Sequence, residues 1–376
     1  MGVPIKVISY DQTNAPQLTG EVGKLDAILY AALVTGFNTQ AISSITVTAN
    51  VATVATSAPH GYQVYDTILV SGANESVFND EFTIDSVPTS TSFTFAITTT
   101  TTPATGSISC KIAPLGWLRS FSGTNISVYK INDVMSTGLY LRVDDTGAKS
   151  TQVNMYETMA TVDAGTGKSQ DTWWAKSSLA NTAIHQWYLV GNSKSFYLLT
   201  EVNLNIPIGN FLYFFGDIAS FRANDPWCCA LGGHSAVDPT YAYTSSGMAG
   251  SSGVTAGMCL ARASNWIGGY VPFGMYSTPR HAYFGYGTLA NNPFPAPLDN
   301  ACHLFPVYIW ESNLGCWRGK MPALFCPGEY VNGVYPNKDR SVVIDGKTYM
   351  AFRLNVGGLL GVWGNFFLSL DQSDWS

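Results

Sequence analysis

Only one stretch of this chain places its apolar residues at helical spacing: Leu25, Ile28, Leu29, Ala32 and Leu33. Side chains three and four apart share one face of a helix, so the pattern predicts a one-sided helix that must bury its stripe against a partner surface. Thr19 or Gly20 can open it, and Gly36 sits where a left-handed cap residue belongs. Elsewhere the apolar runs are short and bounded by Gly, Ser, Asn or Pro. With so little helix available, the core has to come from strands, and the expected fold class is mainly β.

Residues 41–112 are dominated by Thr, Ser, Val and Ala. Ile45 and Val47, then Val51 and Thr53, read as two short strands joined near Ala49-Asn50, and His60-Gly61-Tyr62 reads as a turn. Thr67 to Ser71, Glu81 to Val87 and Ser92 to Thr98 read as further strands. Short strands at this spacing predict a small β-sandwich or barrel. The β-branched run from Thr98 to Thr102, followed by Pro103, reads as an exposed extended loop.

Beyond residue 112, aromatic strands alternate with Gly, Ser and Asn loops. Trp187 to Val190 and Ser195 to Leu199 flank Gly191-Asn192, a hairpin signal. Phe211 to Phe215 is continuously apolar, as a strand buried on both faces should be. The stretch from Gly232 to Gly257 reads as a long surface loop, and Pro293, Pro295 and Pro297 mark an irregular segment. Ser341 to Ile344 and Thr348 to Leu354 flank Asp345-Gly346, a second hairpin signal, and Phe366 to Leu370 reads as a last strand. No internal repeat shows at a fixed period. The expected organisation is an N-terminal arm with a short helix over 1–40, a small β-sandwich or barrel module over 41–112, and a larger aromatic-rich antiparallel β domain over 113–376.

Charged residues make up 12% of the 376 residues, against 46% hydrophobic. That is about half the usual charged fraction. The cores of obligate interfaces are depleted in charge and rich in aromatics, so the composition predicts a surface covered in part by neighbouring subunits. The net charge is −6 and no run of five Lys or Arg occurs, so no nucleic-acid footprint is expected. No stretch of about 18 apolar residues predicts a membrane span. Met1 to Lys6 lacks the basic-then-apolar order of a secretory signal, and Lys6 breaks the myristoylation pattern. The seven cysteines are odd in number and irregularly spaced, which predicts reduced thiols packed as small hydrophobes.

Motifs with chemical content are few. Gly165-Thr166-Gly167-Lys168-Ser169 matches the end of a phosphate-binding loop, but Val162 stands where the first glycine is needed and no helix signal follows. Cys302, His303, Cys316 and Cys326 have the ligand types of a zinc site without its pair spacing, and adjacent Cys302-His303 would point to opposite faces of a strand. Adjacent Cys228-Cys229 reads as a buried pair of small side chains. Glu157, Asp163 and Asp217 are scattered carboxylates, and a glycoside hydrolase would need two of them facing each other. Trp173, Trp174, Trp187, Trp227, Trp266, Trp310 and Trp317 can anchor a core, line a sugar-binding face or form subunit contacts; the core reading is expected for most. No catalytic, cofactor-binding or metal-binding set emerges, and the expectation is a protein without enzymatic activity or cofactor.

Several stretches resemble a family of tailed-phage virion proteins associated with tail and baseplate. Ile5 to Tyr10, Ala15 to Gly20, Leu25 to Leu29 and Val34 to Phe37 are similar to the start of those proteins. Ala58 to Tyr62 and Ile68 to Gly72 resemble the small β-domain that follows. Met155 to Glu157, Trp187 to Gly191, Phe196-Tyr197, Phe215 to Asp217, and Gly346 to Tyr349 with Asp371 and Trp375 resemble the main domain and its end. The resemblance implies a virion part without fixing which one; the leading reading is a tail or baseplate subunit, assembled in the host cytoplasm, with other tail or baseplate proteins as partners and a symmetric homo-oligomer as its assembled form. The arm and helix would dock on a neighbouring subunit, so removing residues 1–36 would abolish incorporation into particles while the remaining domains still fold. A host-receptor or carbohydrate-binding tail-tip protein, with host surface glycan as ligand, would instead show exposed aromatics clustered in a groove. A wall-degrading enzyme would show paired carboxylates, and a capsid decoration protein is a variant of the structural reading.

Overall fold

A computed structural model gives the fold and describes residues 5–204, 210–235, 248, 257–277, 293–329, 331, 334–335, 337–355 and 363–375. The protein is mainly β and its named strands pair antiparallel, with one short helix near the N-terminus. Most of the stretch expected as a long loop over 232–257 lies outside the described residues.

Among the described residues, thirteen strands form the largest sheet. It starts with Lys6–Ser9, Trp187–Gly191, Ser195–Glu201 and Asn210–Asp217, and continues through Cys229–Gly232, Met258–Leu260 and Val271–Tyr276. Leu304–Glu311, Cys316–Pro327, Trp363–Ser369, Lys347–Asn355 and Asp339–Ile344 complete the path, and the thirteenth strand, Ala219–Ser220, pairs with Cys316–Pro327 beside it. Alternation along a strand explains the continuous apolar run at Phe211–Phe215. Phe211, Tyr213 and Phe215 join Trp187, Leu189, Phe196 and Leu198 in one core. Leu212 and Phe214 join Tyr188, Val190, Tyr197 and Leu199 in another. That second core also contains Met350, Phe352, Leu354, Phe366 and Leu368 from the far end of the same sheet. The sheet therefore turns back on itself, and Asn210–Asp217 packs against Lys347–Asn355.

The first core holds the apolar stripe of the helix. Lys24–Tyr30 is α-helical and widens into a π-turn over Ala31–Thr35, which Gly36 ends at φ 67°. The helix starts after Gly23, later than Thr19 or Gly20, because Leu25 and Asp26 donate their backbone N–H groups to the Asp145 carboxylate at 2.8 and 3.0 Å. Leu25, Ile28, Leu29, Ala32 and Leu33 are fully buried among Trp187, Leu189, Phe196 and their neighbours. The stripe is thus covered by its own chain, which overturns the expectation that it waits for a neighbouring subunit. Strand Lys6–Ser9, paired with Trp187–Gly191, is likewise built into the body of the fold.

Two smaller sheets pack on this side. Glu81–Thr83, Thr67–Ala73, Gly106–Ile112, Phe37–Thr48, Val51–Thr56, Ser92–Ala96 and Ser86–Thr89 form a seven-stranded sheet. Its Ala49-Asn50 turn has both residues at positive φ, the form a two-residue hairpin requires. Thr172–Ala175, Ser150–Tyr156, Tyr140–Asp144, Ile126–Lys130 and Leu118–Gly123 form a five-stranded antiparallel sheet. Ile45, Val54 and Phe93 from the first, and Leu141, Val143 and Val153 from the second, belong to the same buried cluster as the helix.

Candidate functional site

The motifs singled out in the sequence do not assemble into a reaction centre among the described residues. Gly165-Thr166 pairs with Thr158-Met159 in a small ribbon, Lys168 pairs with Asp171 at 2.8 Å, and a strand follows where a phosphate loop needs a helix. Cys316 lies opposite Glu311 and Cys326 opposite Phe305, so the two thiols sit towards opposite ends of one hairpin. His303 is held between Glu329 at 2.7 Å and Asp299 at 3.0 Å. Among the described residues no group of three His, Cys, Asp or Glu side chains is placed to hold a metal ion. All seven cysteines are free, and Cys228 is half-buried where a buried pair with Cys229 was expected.

The three carboxylates are engaged separately. Glu157 receives Nε and Nη2 of Arg262 at 2.5 and 2.6 Å. Asp163 is exposed and pairs with Arg142 at 2.7 Å. Asp217 accepts the Thr137 backbone N–H at 2.9 Å and its hydroxyl at 2.5 Å, and burial pushes its pKa up to about 6. A carboxyl raised in the folded state costs nothing while both states hold the proton. Its penalty grows as pH rises from about 4 to about 6 and is then constant, on the order of 3 kcal/mol. Asp217→Asn is therefore expected to match the parent chain near pH 3 and to exceed it in stability near pH 8. Chemical unfolding at the two pH values measures this, and equal stability at both would refute it.

The tryptophans divide between core and surface. Trp174 and Trp187 are fully buried, with indole N–H groups donated to the carbonyls of Gly232 and Pro16. Trp173, Trp227, Trp266 and Trp310 are half-buried, and Trp317 is 50% exposed. Trp117 and Trp375 are buried as well and Trp227 packs against the first core, so the core reading holds for these together with Trp174 and Trp187, while Trp310 and Trp317 depart from it. Strand phase decides the outcome. Along Leu304–Glu311, Val307, Ile309 and Glu311 point inward, while Tyr308 and Trp310 stay half-exposed on the other face.

Tyr276, Tyr308 and Trp310 all meet Trp317 edge-on, with ring centroids 5.6, 6.0 and 5.1 Å away. Phe221, 55% exposed, extends the cluster through Tyr308. Edge-on packing suits the ring quadrupoles and leaves no shared flat face. Arg222 lies over the Trp266 ring at 3.7 Å, and Lys320 is the cross-strand partner of Tyr308, so cations rim the aromatic surface.

Directly beneath lies a buried ion cluster. Ile309 pairs with Gly319 and Trp310 with Trp317, which leaves Arg318 as the extra residue of a β-bulge. The bulge turns Arg318 inward, as such irregularities do. Its guanidinium meets Asp225 at 2.7 Å and Glu311 at 3.1 Å, all three side chains being essentially inaccessible. Asp225 also accepts the Trp227 backbone N–H and the Trp266 indole N–H, both at 3.1 Å. Glu311 accepts the Ser264 N–H at 2.8 Å. The cluster thus fixes the loops that carry Trp227 and Trp266. Arg262 stacks over Trp227 at 3.9 Å and ties that assembly to Glu157.

Among the described residues no helix is long and apolar enough to cross a membrane. No family model matches the chain, and no curated protein matches it. Among solved structures, the phage phi92 endosialidase is similar over 89% of this chain and 52% of its own length, at 10% identity and a TM-score of 0.18. The chain spans about half the length of that protein.

Proposed function

We propose that this chain is a non-enzymatic structural subunit of a tailed-phage virion, a tail or baseplate part that forms a symmetric oligomer. The observation that carries the reading is the solvent-facing aromatic cluster around Trp317 on a chain with only 12% charged residues. Aromatic residues framed by Arg are the residue types that dominate binding energy at subunit contacts. The occupant we assign to this face is a second copy of the chain. Its net charge of −6 complements the cations Arg222 and Lys320 at the rim, and repeated contacts of one kind close into a ring. The sequence resemblance to tail and baseplate proteins supports the same assignment. Glu157, Asp163 and Asp217 are engaged with separate partners, Arg262, Arg142 and Thr137, so the reading assigns these three no paired hydrolytic role.

Phe221→Ser combined with Trp317→Ser is expected to weaken self-association by about 30-fold or more, the scale of one hot-spot residue. Light scattering across a concentration series reads the change. A wild-type chain that stays monomeric throughout would remove the oligomer from this reading. Cryo-electron microscopy of particles carrying the chain is expected to place it in a symmetric ring or cluster at the tail end, and its absence from the particle would overturn the virion assignment.

A further inference from the structure

A groove of about 440 Å³ opens at the end of the five-stranded sheet, away from the Trp317 cluster. Asp144 pairs across strands with Gln152, and Gln152 pairs with Trp173. Directly paired residues share a face of the sheet, so a carboxylate, an amide and an indole stand in one row, about 4.8 Å apart per strand. Thr146, Lys149 and Ser150 complete the polar part of the lining. A concave site with one aromatic surface and a few placed polar groups, in this volume range, is the usual form of a small-molecule pocket.

The wall of the groove is held in place from below. Asp145 and Lys176 form a fully buried ion pair at 2.5 Å. Lys176 Nζ donates to the Gly147 carbonyl at 2.7 Å, and its backbone N–H donates to the Lys149 carbonyl at 2.8 Å. Thr151 donates its hydroxyl to Asp145 at 2.5 Å. Burial opposes the charge on both members, raising the Asp145 pKa and lowering that of Lys176. A buried pair is poor value for stability alone, but it fixes the loop over residues 145–149 before any ligand arrives, and preorganisation of this kind lowers the cost of binding.

We propose that this groove binds a neutral or N-acetylated saccharide, with a pyranose ring stacked on Trp173 and its hydroxyls bonded to Gln152 and Asp144. The C–H face of a pyranose is apolar and its rim is hydroxylated, which matches an indole flanked by an amide and a carboxylate. Asp144 is already braced by Arg142 at 3.3 Å and by the Thr146 hydroxyl at 2.7 Å, so it is oriented to accept from a hydroxyl. It is the one carboxylate in the lining, and the proposal is for binding of the saccharide, not its cleavage. The inference does not depend on the virion reading and survives its failure.

Saturation-transfer NMR with lactose, maltose and N,N′-diacetylchitobiose tests it on the full chain. At least one sugar is expected to receive saturation, with an affinity about tenfold weaker in Trp173→Ala and in Gln152→Ala, and unchanged in Trp317→Ala. Trp173 is half-exposed, so its truncation leaves the core intact. No transfer to any of the three sugars, or undiminished transfer in Trp173→Ala, overturns the proposal.

Discussion

Deletion of residues 1–36 is expected to abolish folding of the chain, a larger effect than loss of docking. The segment contributes Ile8, Leu18, Leu25, Ile28, Leu29 and Leu33, each at most 1% exposed, to the first core. At roughly 1.5–3 kcal/mol for each fully buried side chain, their loss rivals the whole stability of a typical domain, about 5–15 kcal/mol. Two further ties go with them. Lys6, itself buried, pairs with Glu81 and donates to the Pro114 carbonyl, linking the first strand to the seven-stranded sheet. The helix N-terminus releases Asp145, which is then left with Lys176 and Thr151 alone. Circular dichroism and proteolysis of the truncated chain read the outcome. A protease-resistant β-rich product with a cooperative transition would show that the segment is an appendage after all.

Arg318→Met is expected to cost about 3–5 kcal/mol, because it strands Asp225 and Glu311, two inaccessible carboxylates, without their shared cation. The loss has a local signature. Asp225 anchors Trp227 and Trp266, so the near-ultraviolet circular dichroism of those indoles should change with the stability. Adding Asp225→Asn and Glu311→Gln to Arg318→Met removes the stranded charges and is expected to restore a large part of the loss. Chemical unfolding of the single and triple variants decides the point. A triple variant no more stable than the single one would mean that packing of the arginine stem, and not charge, dominates.

What could be read from the sequence was local. The Asp345-Gly346 hairpin is present, with both turn residues at positive φ and Ile344 opposite Lys347. The hairpin around Gly191-Asn192 is present too, its turn closed by the Asn192 side chain accepting the N–H groups of Lys194 and Ser195. The apolar run at Phe211–Phe215 is buried on both faces because the sheet folds over it. Features made by distant residues left no local trace. Asp145 caps a helix 120 positions earlier in the chain, so no capping residue stands next to that helix. The exposure of Trp310 and Trp317 depends on strand phase, and a bulge shifts that phase at Arg318. The one accessible clue was the juxtaposition of Trp310 with Glu311 and of Trp317 with Arg318, each an aromatic beside a charge on a strand. Alternation places two such neighbours on opposite faces, so one of each pair had to be buried.

The bulge at Arg318 also governs how this surface can change over time. Because the arginine is locked to Asp225 and Glu311, the hairpin has a single permitted alignment, and sliding by one residue would bury tryptophan and expose the ions. Single-residue insertions and deletions between Trp310 and Arg318 are therefore disfavoured. Exchanges at positions 308, 310 and 317 are not, since those side chains lie on the outer face. The hairpin behaves as a keyed mount whose outer fittings can be swapped one at a time, so the outer face can diversify while the frame beneath it stays constant.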